Sequence, residues 1–163
     1  MKIKGRKHLE KKIQKIVKEF VNADVFLNDN FCYYAETNTI TFAPILMGDL
    51  EQIHINWIME KYERDYSDPF IYWLFSLLHE VGHAMTIEEL TDEDWAFENE
   101  MREMLANDWI EDDVEVCHVY FTLPAEILAT EWAIKTMDKN EAWTNKKLRK
   151  AYESFRHFYK KNT

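Results

Sequence analysis

Two histidines four positions apart, with a glutamate beside the first, form the segment of this chain best suited to chemistry. The segment reads His79-Glu80-Val81-Gly82-His83. On a helix of 3.6 residues per turn, both imidazoles lie on one face, one turn apart, and can reach a single ion. Glu80 projects about 100° away around the helix, where its carboxylate can take a proton from water but is badly placed as a ligand. The spacing predicts that His79 and His83 bind zinc and that Glu80 is a general base.

An apolar run leads directly into this motif and predicts a buried helix around it. Residues 69–78 are apolar at nearly every position, and Asp68 followed by Pro69 opens the run. This pair supplies a capping residue and a proline at the first helical position. Polar side chains at the end of a buried helix need partners. A metal ion is the predicted partner, and a hydrogen-bonded structural pair of histidines is the alternative.

A catalytic zinc takes three protein ligands and leaves one position for water, so the motif lacks one donor. The carboxylates of the downstream segment 123–133 are the candidates. Ala129 and Ala133 lie on the same helical face as Glu126, and small side chains let two helices approach closely. Glu131 is rotated by roughly 140° from Glu126 and is expected to face solvent. Glu126 is therefore the predicted third ligand, with Glu131 as the alternative.

The segments Leu77-Leu-His-Glu-Val-Gly-His-Ala84 and Glu126-x-x-Ala-x-x-Trp-Ala133 resemble zincin peptidases of the glutamate-ligand type. Among these, the chain is most similar to the compact ImmA/IrrE-like and minigluzincin proteins. The resemblance implies a zinc metallopeptidase, a hydrolase that cuts peptide bonds through a zinc-activated water. It also implies the roles already named: His79, His83 and Glu126 as metal ligands and Glu80 as the catalytic base. A specific cytosolic regulator is the implied type of substrate.

Two features depart from this family. Its members commonly carry an aspartate four residues beyond the ligand glutamate, where it supports a metal-bound histidine, and Thr130 occupies that position here. A hydroxyl adds no charge, so weaker support of the histidine is expected. The connection between the two motifs, residues 84–125, is also long because of an acidic insertion.

The order of predicted elements indicates an α+β, mostly helical fold, and the resemblance implies a zincin-like single domain over residues 1–163. The predicted elements are a basic amphipathic helix from Leu9 to Val21, a small antiparallel sheet over residues 24–44, a helix over 49–66, the motif helix, an acidic helix from Thr91, a helix from Pro124 to Met137, and a last helix that Asn140 caps and that packs through Leu148, Tyr152, Phe155 and Tyr159. Residues 114–121 are ambiguous, because they alternate like a strand in too short a run.

Other residues receive provisional roles. An extended substrate is predicted to add to the sheet edge formed by residues 39–43. His118 and Tyr120 are the candidates for a donor to the oxyanion, although a structural role is the simpler interpretation of each. His54 and His157 are interpreted as ordinary helix residues.

Composition limits the class of protein. With 163 residues, 47% of them hydrophobic and 31% charged, the chain has enough apolar material for one folded core. Two cysteines without a C-x-x-C pair predict no disulfide framework. The longest apolar run is about half of a membrane span and no secretory signal is visible, so a cytoplasmic protein is expected. The predicted partner is a protein or peptide substrate, with no nucleic acid and no membrane. The sequence leaves the oligomeric state open.

The net charge of −10 is concentrated in the acidic segment, residues 86–115, which holds thirteen carboxylates against Arg102 alone. A solvated surface is the simplest interpretation. The sharper one is a docking surface for a basic protein, which leads to a second functional hypothesis: a non-enzymatic interaction protein that retains a zincin scaffold. A third hypothesis is a structural metal site that His118 closes as a fourth ligand.

Overall fold

A computed structural model describes residues 6–44, 47–140 and 146–162 and forms a mostly helical α+β fold with a small mixed sheet. In chain order, the elements are α1 (Arg6–Lys18), β1 (Asp24–Leu27), β2 (Cys32–Tyr34), β3 (Thr39–Phe42), α2 (Asp49–Tyr62), α3 (Pro69–Thr86), a 3-10 turn (Ile87–Glu89), α4 (Asp92–Ala106), α5 (Asp113–Phe121), α6 (Pro124–Lys139) and α7 (Lys146–Asn162).

The sheet has the strand order β1-β3-β2, with β1 parallel and β2 antiparallel to β3. The predicted antiparallel sheet is therefore wrong in topology, although all three strands occur near their predicted positions. Residues 39–43 do not form an edge, because β3 lies between the other two strands. The chain turns tightly after β2, so β3 runs back alongside β2. The opposite side of β3 then pairs with β1. A local pattern of alternating residues cannot reveal this order, because it depends on pairing between distant segments.

Side chains of α1 cover the outer edge of β1. Gln14 accepts a hydrogen bond from the backbone of Val25 at 3.0 Å and donates one to the carbonyl of Ala23 at 2.7 Å. Glu10 accepts from the N–H of Leu27 at 3.2 Å. Unpaired backbone groups at the edge of a sheet can pair with other strands, and the bonds from α1 prevent such pairing at β1. The exposed edge of the sheet is therefore on the β2 side.

The core is built around α3, the helix that carries the histidine motif. Its residues Trp73, Leu74, Phe75, Leu77 and Leu78 are each fully buried. Burial of such side chains contributes roughly 1.5–3 kcal/mol each, so this helix is fixed on nearly every side.

The start of α3 follows the sequence prediction. Asp68 caps it by accepting from the N–H groups of Phe70 and Ile71 at 2.9 and 3.3 Å, and Pro69 occupies the first turn. Arg149 of α7 forms a 2.9 Å ion pair with the same aspartate. The cap therefore also connects the last helix to the first turn of the motif helix.

α6 packs closely on α3 through small residues, as the sequence predicts. Ala129 and Ala133 are fully buried. A Cβ atom added to Gly82 would stand only 2.6 Å from the backbone oxygen of Ala129. The glycine of the motif therefore lets the two helix backbones touch, directly beside the predicted ligands.

Two further predictions concern residues 114–121 and Asn140. Residues 113–121 form the helix α5, which Asp112 caps through the N–H groups of Val114 and Glu115 at 2.8 and 3.1 Å. The strand alternative for this segment is therefore wrong. Asn140 ends α6 and donates to the carbonyl of Thr136 at 2.8 Å, whereas residues 141–145, where its predicted role as cap of the last helix would be seen, lie outside the described residues.

In α7, Leu148 and Tyr152 are buried as predicted, whereas the side chains of Phe155 and Tyr159 lie outside the described residues. None of the helices that the structure describes combines the length and the hydrophobicity needed to cross a bilayer.

Replacement of Gly82 by alanine tests the contact between α3 and α6. Alanine favours helices over glycine by about 1 kcal/mol, yet the added methyl would collide with the backbone of Ala129. We expect Gly82→Ala to lower the free energy of unfolding by about 1–3 kcal/mol, measured by denaturant titration. Gly48→Ala is the control, because Gly48 is exposed with a φ of −123° and should lose less than about 1 kcal/mol. Equal stability of wild type and Gly82→Ala would contradict the contact.

Candidate metal centre

Three potential metal ligands converge where α3 meets the first turn of α6. His79 and His83 follow one another by one helical turn, and their ring centroids are 4.7 Å apart. Glu126 reaches both from α6: its Oε2 atom lies 2.7 Å from Nε2 of His79 and 3.3 Å from Nε2 of His83. All three donor atoms lie within 4.8 Å of one another. These residues are close enough to hold one metal ion.

The chemistry of the donor set fits a divalent transition metal. Two imidazole nitrogens and one carboxylate oxygen form a set that zinc accepts, and ligand atoms around a tetrahedral zinc stand roughly 3.3 Å apart for bonds of about 2.0–2.1 Å. The side chains of His79, His83 and Glu126 are 12%, 19% and 5% exposed. The three side chains are mostly buried but not fully closed off from solvent, so a further ligand could reach a metal held between them.

The other candidate carboxylate, Glu131, lies on a different face of α6. Burial and the nearby Glu131 carboxylate raise the pKa of the Tyr62 hydroxyl to about 12. Glu131 is partly buried next to this tyrosine instead of pointing fully into solvent as expected. The structure therefore places Glu126, and not Glu131, beside the two histidines.

Thr130 occupies the position where the resembling family carries an aspartate, and it contacts the first histidine. Its Oγ1 atom lies 3.2 Å from Nδ1 of His79, and the residue is 1% exposed. A hydroxyl can accept a hydrogen bond from Nδ1–H, and in that tautomer Nε2, which lies 2.7 Å from Glu126 Oε2, would carry the lone pair that a metal takes. Thr130 therefore orients the imidazole without adding a charge.

The electrostatics of the centre couple its carboxylates to its histidines. Burial alone would raise the pKa of Glu126, but hydrogen bonds and charges from His79 and His83 outweigh it and hold this pKa far below its usual range. Burial raises the pKa of Glu80, partly offset by the two histidines and the backbone amide of Tyr33. The two glutamates thus occupy different environments: one is held ionised by its neighbours, and the other binds a proton more readily than usual.

Sequence reasoning missed two residues of α4 that support the centre. Glu98 is 1% exposed, and its Oε1 atom accepts from the N–H of Ala125 at 2.7 Å, in the first turn of α6. The residue before α6, Leu123, has no capping side chain, so Glu98 supplies the cap from another helix. Arg102 pairs with Glu98 at 2.9 Å and with Oε1 of Glu126 at 3.4 Å.

A signal for Arg102 was present in the sequence, since it is the single basic residue among thirteen carboxylates in residues 86–115. The expectation of a solvated acidic surface holds for most of α4, whose other residues are exposed or half-buried, but not for buried Glu98. A buried carboxylate requires partners, and here it has a backbone amide and a guanidinium.

Two cavities meet at the centre. The first, which we call the aromatic pocket, has a volume of about 250 Å³, and the second, which we call the α4 groove, about 500 Å³. They share four lining residues, namely Phe31, Glu80, Tyr120 and Glu126. The α4 groove lies between β2 and α4 and also reaches Arg102 and His83. Glu80 is therefore accessible from both sides of the centre.

The two candidates for an oxyanion donor fall in different places. Tyr120 stands at the junction of the cavities, and the guanidinium carbon of Arg102 lies 5.5 Å from its ring centre. Burial, followed by the charge of Glu126, raises the pKa of the Tyr120 hydroxyl, which stays protonated at neutral pH. His118 lines a separate open hollow with Asp112 and Thr122. The structure therefore does not bring His118 to the centre as a donor or as a fourth ligand.

His54 also differs from its predicted role. Instead of being an ordinary helix residue, it lines the aromatic pocket together with His79. Its ring stacks on Phe121 at 4.3 Å, and its Nδ1 atom lies 2.7 Å from the hydroxyl of Tyr72. The signal was its position three residues before Trp57, on the buried face of α2. His157 is exposed on α7.

No known protein family, no curated protein and no solved structure matches this chain. The arrangement of side chains therefore has to carry any functional conclusion.

Loss of the Thr130 hydroxyl should weaken metal binding. Thr130→Val keeps the volume but removes the partner of His79 Nδ1, so we expect affinity for zinc to fall by about 10–100-fold. Competition with a chromogenic chelator measures the affinity. Thr130→Ser keeps the hydroxyl and should stay close to wild type. A valine variant with wild-type affinity would show that this contact does not orient the histidine.

Loss of the guanidinium of Arg102 should destabilise the junction of α4 and α6. Arg102→Met leaves the buried carboxylate of Glu98 with a single partner, and we expect a loss of about 1–2 kcal/mol in the free energy of unfolding, because Arg102 is partly exposed. Combining it with Glu98→Gln removes the unpaired charge and should recover part of this loss. Denaturant titration of the two single variants and the double variant measures the coupling, and strictly additive effects would argue against the pair.

Proposed function

We propose that this protein is a zinc-dependent metallopeptidase with a zincin-like fold of the glutamate-ligand type. The observation that carries the proposal is the convergence of His79, His83 and Glu126 on one point, with Glu80 beside them facing two cavities. The three ligands come from two helices that touch through Gly82, so their positions do not depend on a loop. Zinc, when bound, lowers the pKa of a water toward 7 and polarises a neighbouring carbonyl.

Glu80 is the proposed general base. Its carboxylate lines both cavities and lies outside the donor cluster, so it is free to accept a proton from the attacking water. Burial raises its pKa, which brings it closer to the value that proton transfer at neutral pH requires. The protonated carboxyl group then delivers the proton to the amine that leaves. No covalent intermediate is needed.

Tyr120 is the proposed donor to the oxyanion. It borders both cavities next to Glu80 and Glu126. Because its hydroxyl remains protonated at neutral pH, it can donate a hydrogen bond to the carbonyl oxygen of the substrate as negative charge develops there. The nearby Arg102 adds positive potential on the same side of the centre.

The substrate is proposed to bind as an extra strand along β2. This edge lines the α4 groove through Cys32 and Tyr33, whereas α1 covers the β1 edge. An added strand gains main-chain hydrogen bonds that do not depend on its sequence. The backbone N–H of Tyr33 donates a hydrogen bond to the Glu80 carboxylate, so a peptide on this edge would lie next to the proposed catalytic base.

A second candidate function is the binding of a basic protein by the acidic segment. The observation that favours it is the exposure of large apolar side chains among the carboxylates: Trp109 is 74% and Phe97 48% exposed. Aromatic residues of this kind are enriched in interfaces. Such binding would not require Glu80, and it would weaken with salt.

Replacement of Glu80 by glutamine tests the proposed chemistry. We expect Glu80→Gln to retain about one zinc per chain, as wild type does, while hydrolysis of a peptide library falls by about 100-fold or more. Elemental analysis measures the metal, and mass spectrometry of the library measures cleavage. Glu131→Gln is the matched control, because it changes a carboxylate of α6 outside the cluster and should leave both unchanged. Full activity of Glu80→Gln would refute the assignment of the base.

A further inference from the structure

We propose that the aromatic pocket beside the metal centre selects a lysine or arginine side chain of the substrate. The inference rests on the proposed peptidase function and names the residue type that the enzyme recognises. Its basis is the position, the walls and the charge of this pocket.

The position and size of the pocket suit a long side chain. Its lining includes His79, Glu80 and Glu126, so a side chain that enters it would belong to a residue next to the scissile bond. A cavity of about 150 Å³ can hold benzene, and the volume here is about 250 Å³. The pocket therefore accepts a side chain of lysine or arginine length and is larger than a small aliphatic residue needs.

Aromatic rings form the walls. Phe75 and Tyr72 come from α3, Phe121 from α5 and Phe31 from the segment before β2. Their faces cover the aliphatic stem of a basic side chain and attract its charged end. The hydrogen bond between Tyr72 and His54, together with the stacking of His54 on Phe121, fixes the part of the wall that His54 forms.

A carboxylate outside the metal cluster gives the pocket a negative charge. Glu51 lines it from the first turn of α2, whereas the charges of Glu80 and Glu126 would be offset by a bound divalent ion. Among the described residues that line it, none is lysine or arginine. Burial lowers the pKa of His54 to about 3, so this ring adds no positive charge at neutral pH. An acidic side chain would be repelled, and an apolar one would leave Glu51 without a charged partner.

Glu51 is held in place without being neutralised. Its Oε2 atom accepts from the backbone N–H of Gly48, the N-cap residue of α2, at 3.1 Å. Of the ion pairs found among the described residues, none involves Glu51. The carboxylate is therefore oriented by the backbone and still available to a cationic ligand.

The experiment compares peptides that differ at one position. A library with Lys, Arg, Leu, Phe or Glu on either side of the scissile bond is offered to the zinc-loaded wild type, and cleavage is read by mass spectrometry. Binding of the same peptides to the Glu80→Gln variant is measured by fluorescence anisotropy, which does not depend on turnover. We expect Lys and Arg to be preferred at one position in both measurements.

Variants of Glu51 link the preference to the pocket. Glu51→Gln keeps an acceptor for Gly48 and should lose about tenfold in affinity for the Lys peptide, with less than a twofold change for the Leu peptide. Glu60→Gln removes a charge from the exposed face of the same helix and should change neither. Thermal melts confirm that both variants are folded.

Each outcome bears on one hypothesis. Preference for Phe or Leu, a Lys preference that survives Glu51→Gln, or absence of binding to every peptide would overturn the pocket assignment. Cleavage without a preference for Lys or Arg would overturn the assignment of the pocket but leave the peptidase proposal intact. Binding of Lys peptides that depends on Glu51, without any cleavage, would support the pocket and refute the peptidase proposal.

Discussion

The contact between the backbones of α3 and α6 is the constraint on which the candidate metal centre depends. Gly82 lies against the backbone of Ala129, with no room for a side chain between them. A carboxylate has a short reach, so Glu126 can meet two imidazoles of the neighbouring helix only if the helices approach this closely. Helices with larger residues at their contact stand about 8–10 Å apart. The glycine inside the motif therefore matters as much to the geometry as the histidines that flank it.

Two other elements complete the centre from a distance. α1 satisfies the outer edge of β1 with Glu10 and Gln14, which leaves β2 as the edge that faces the cleft. α4 supplies Glu98 to cap α6 and Arg102 to contact Glu126. The inner side of the acidic segment thus supports α6, and its outer side is charged and faces solvent. Because this segment packs against the centre, a long connection between the two motifs is compatible with a compact arrangement of the candidate ligands.

The polar groups around the centre are arranged so that most have a partner from a different element. Thr130 meets His79 across the helix interface, and Tyr72 meets His54 across the aromatic pocket. Satisfied buried polar groups tend to fix one conformation, because each alternative leaves a donor or acceptor unpaired. The described lining of the aromatic pocket contains no lysine or arginine, and Glu51 is its carboxylate outside the metal cluster.

The sequence by itself determined the features that depend on short spacings. The helix around His79 and His83, its cap at Asp68 and the helix starts at Pro69 and Pro124 all follow from residues within one or two turns. The small residues on the same face of α6 as Glu126 were also predictable, because helical periodicity places Ala129 and Ala133 there.

Only the tertiary structure decided what depends on distant segments. The strand order, the open edge at β2, the position of His54 beside the centre and the tasks of Glu98 and Arg102 each require two elements to meet. Hydrophobic periodicity shows which face of an element is buried but not which element covers it. For that reason the ligands were predictable from spacing, whereas the walls and supports around them were not.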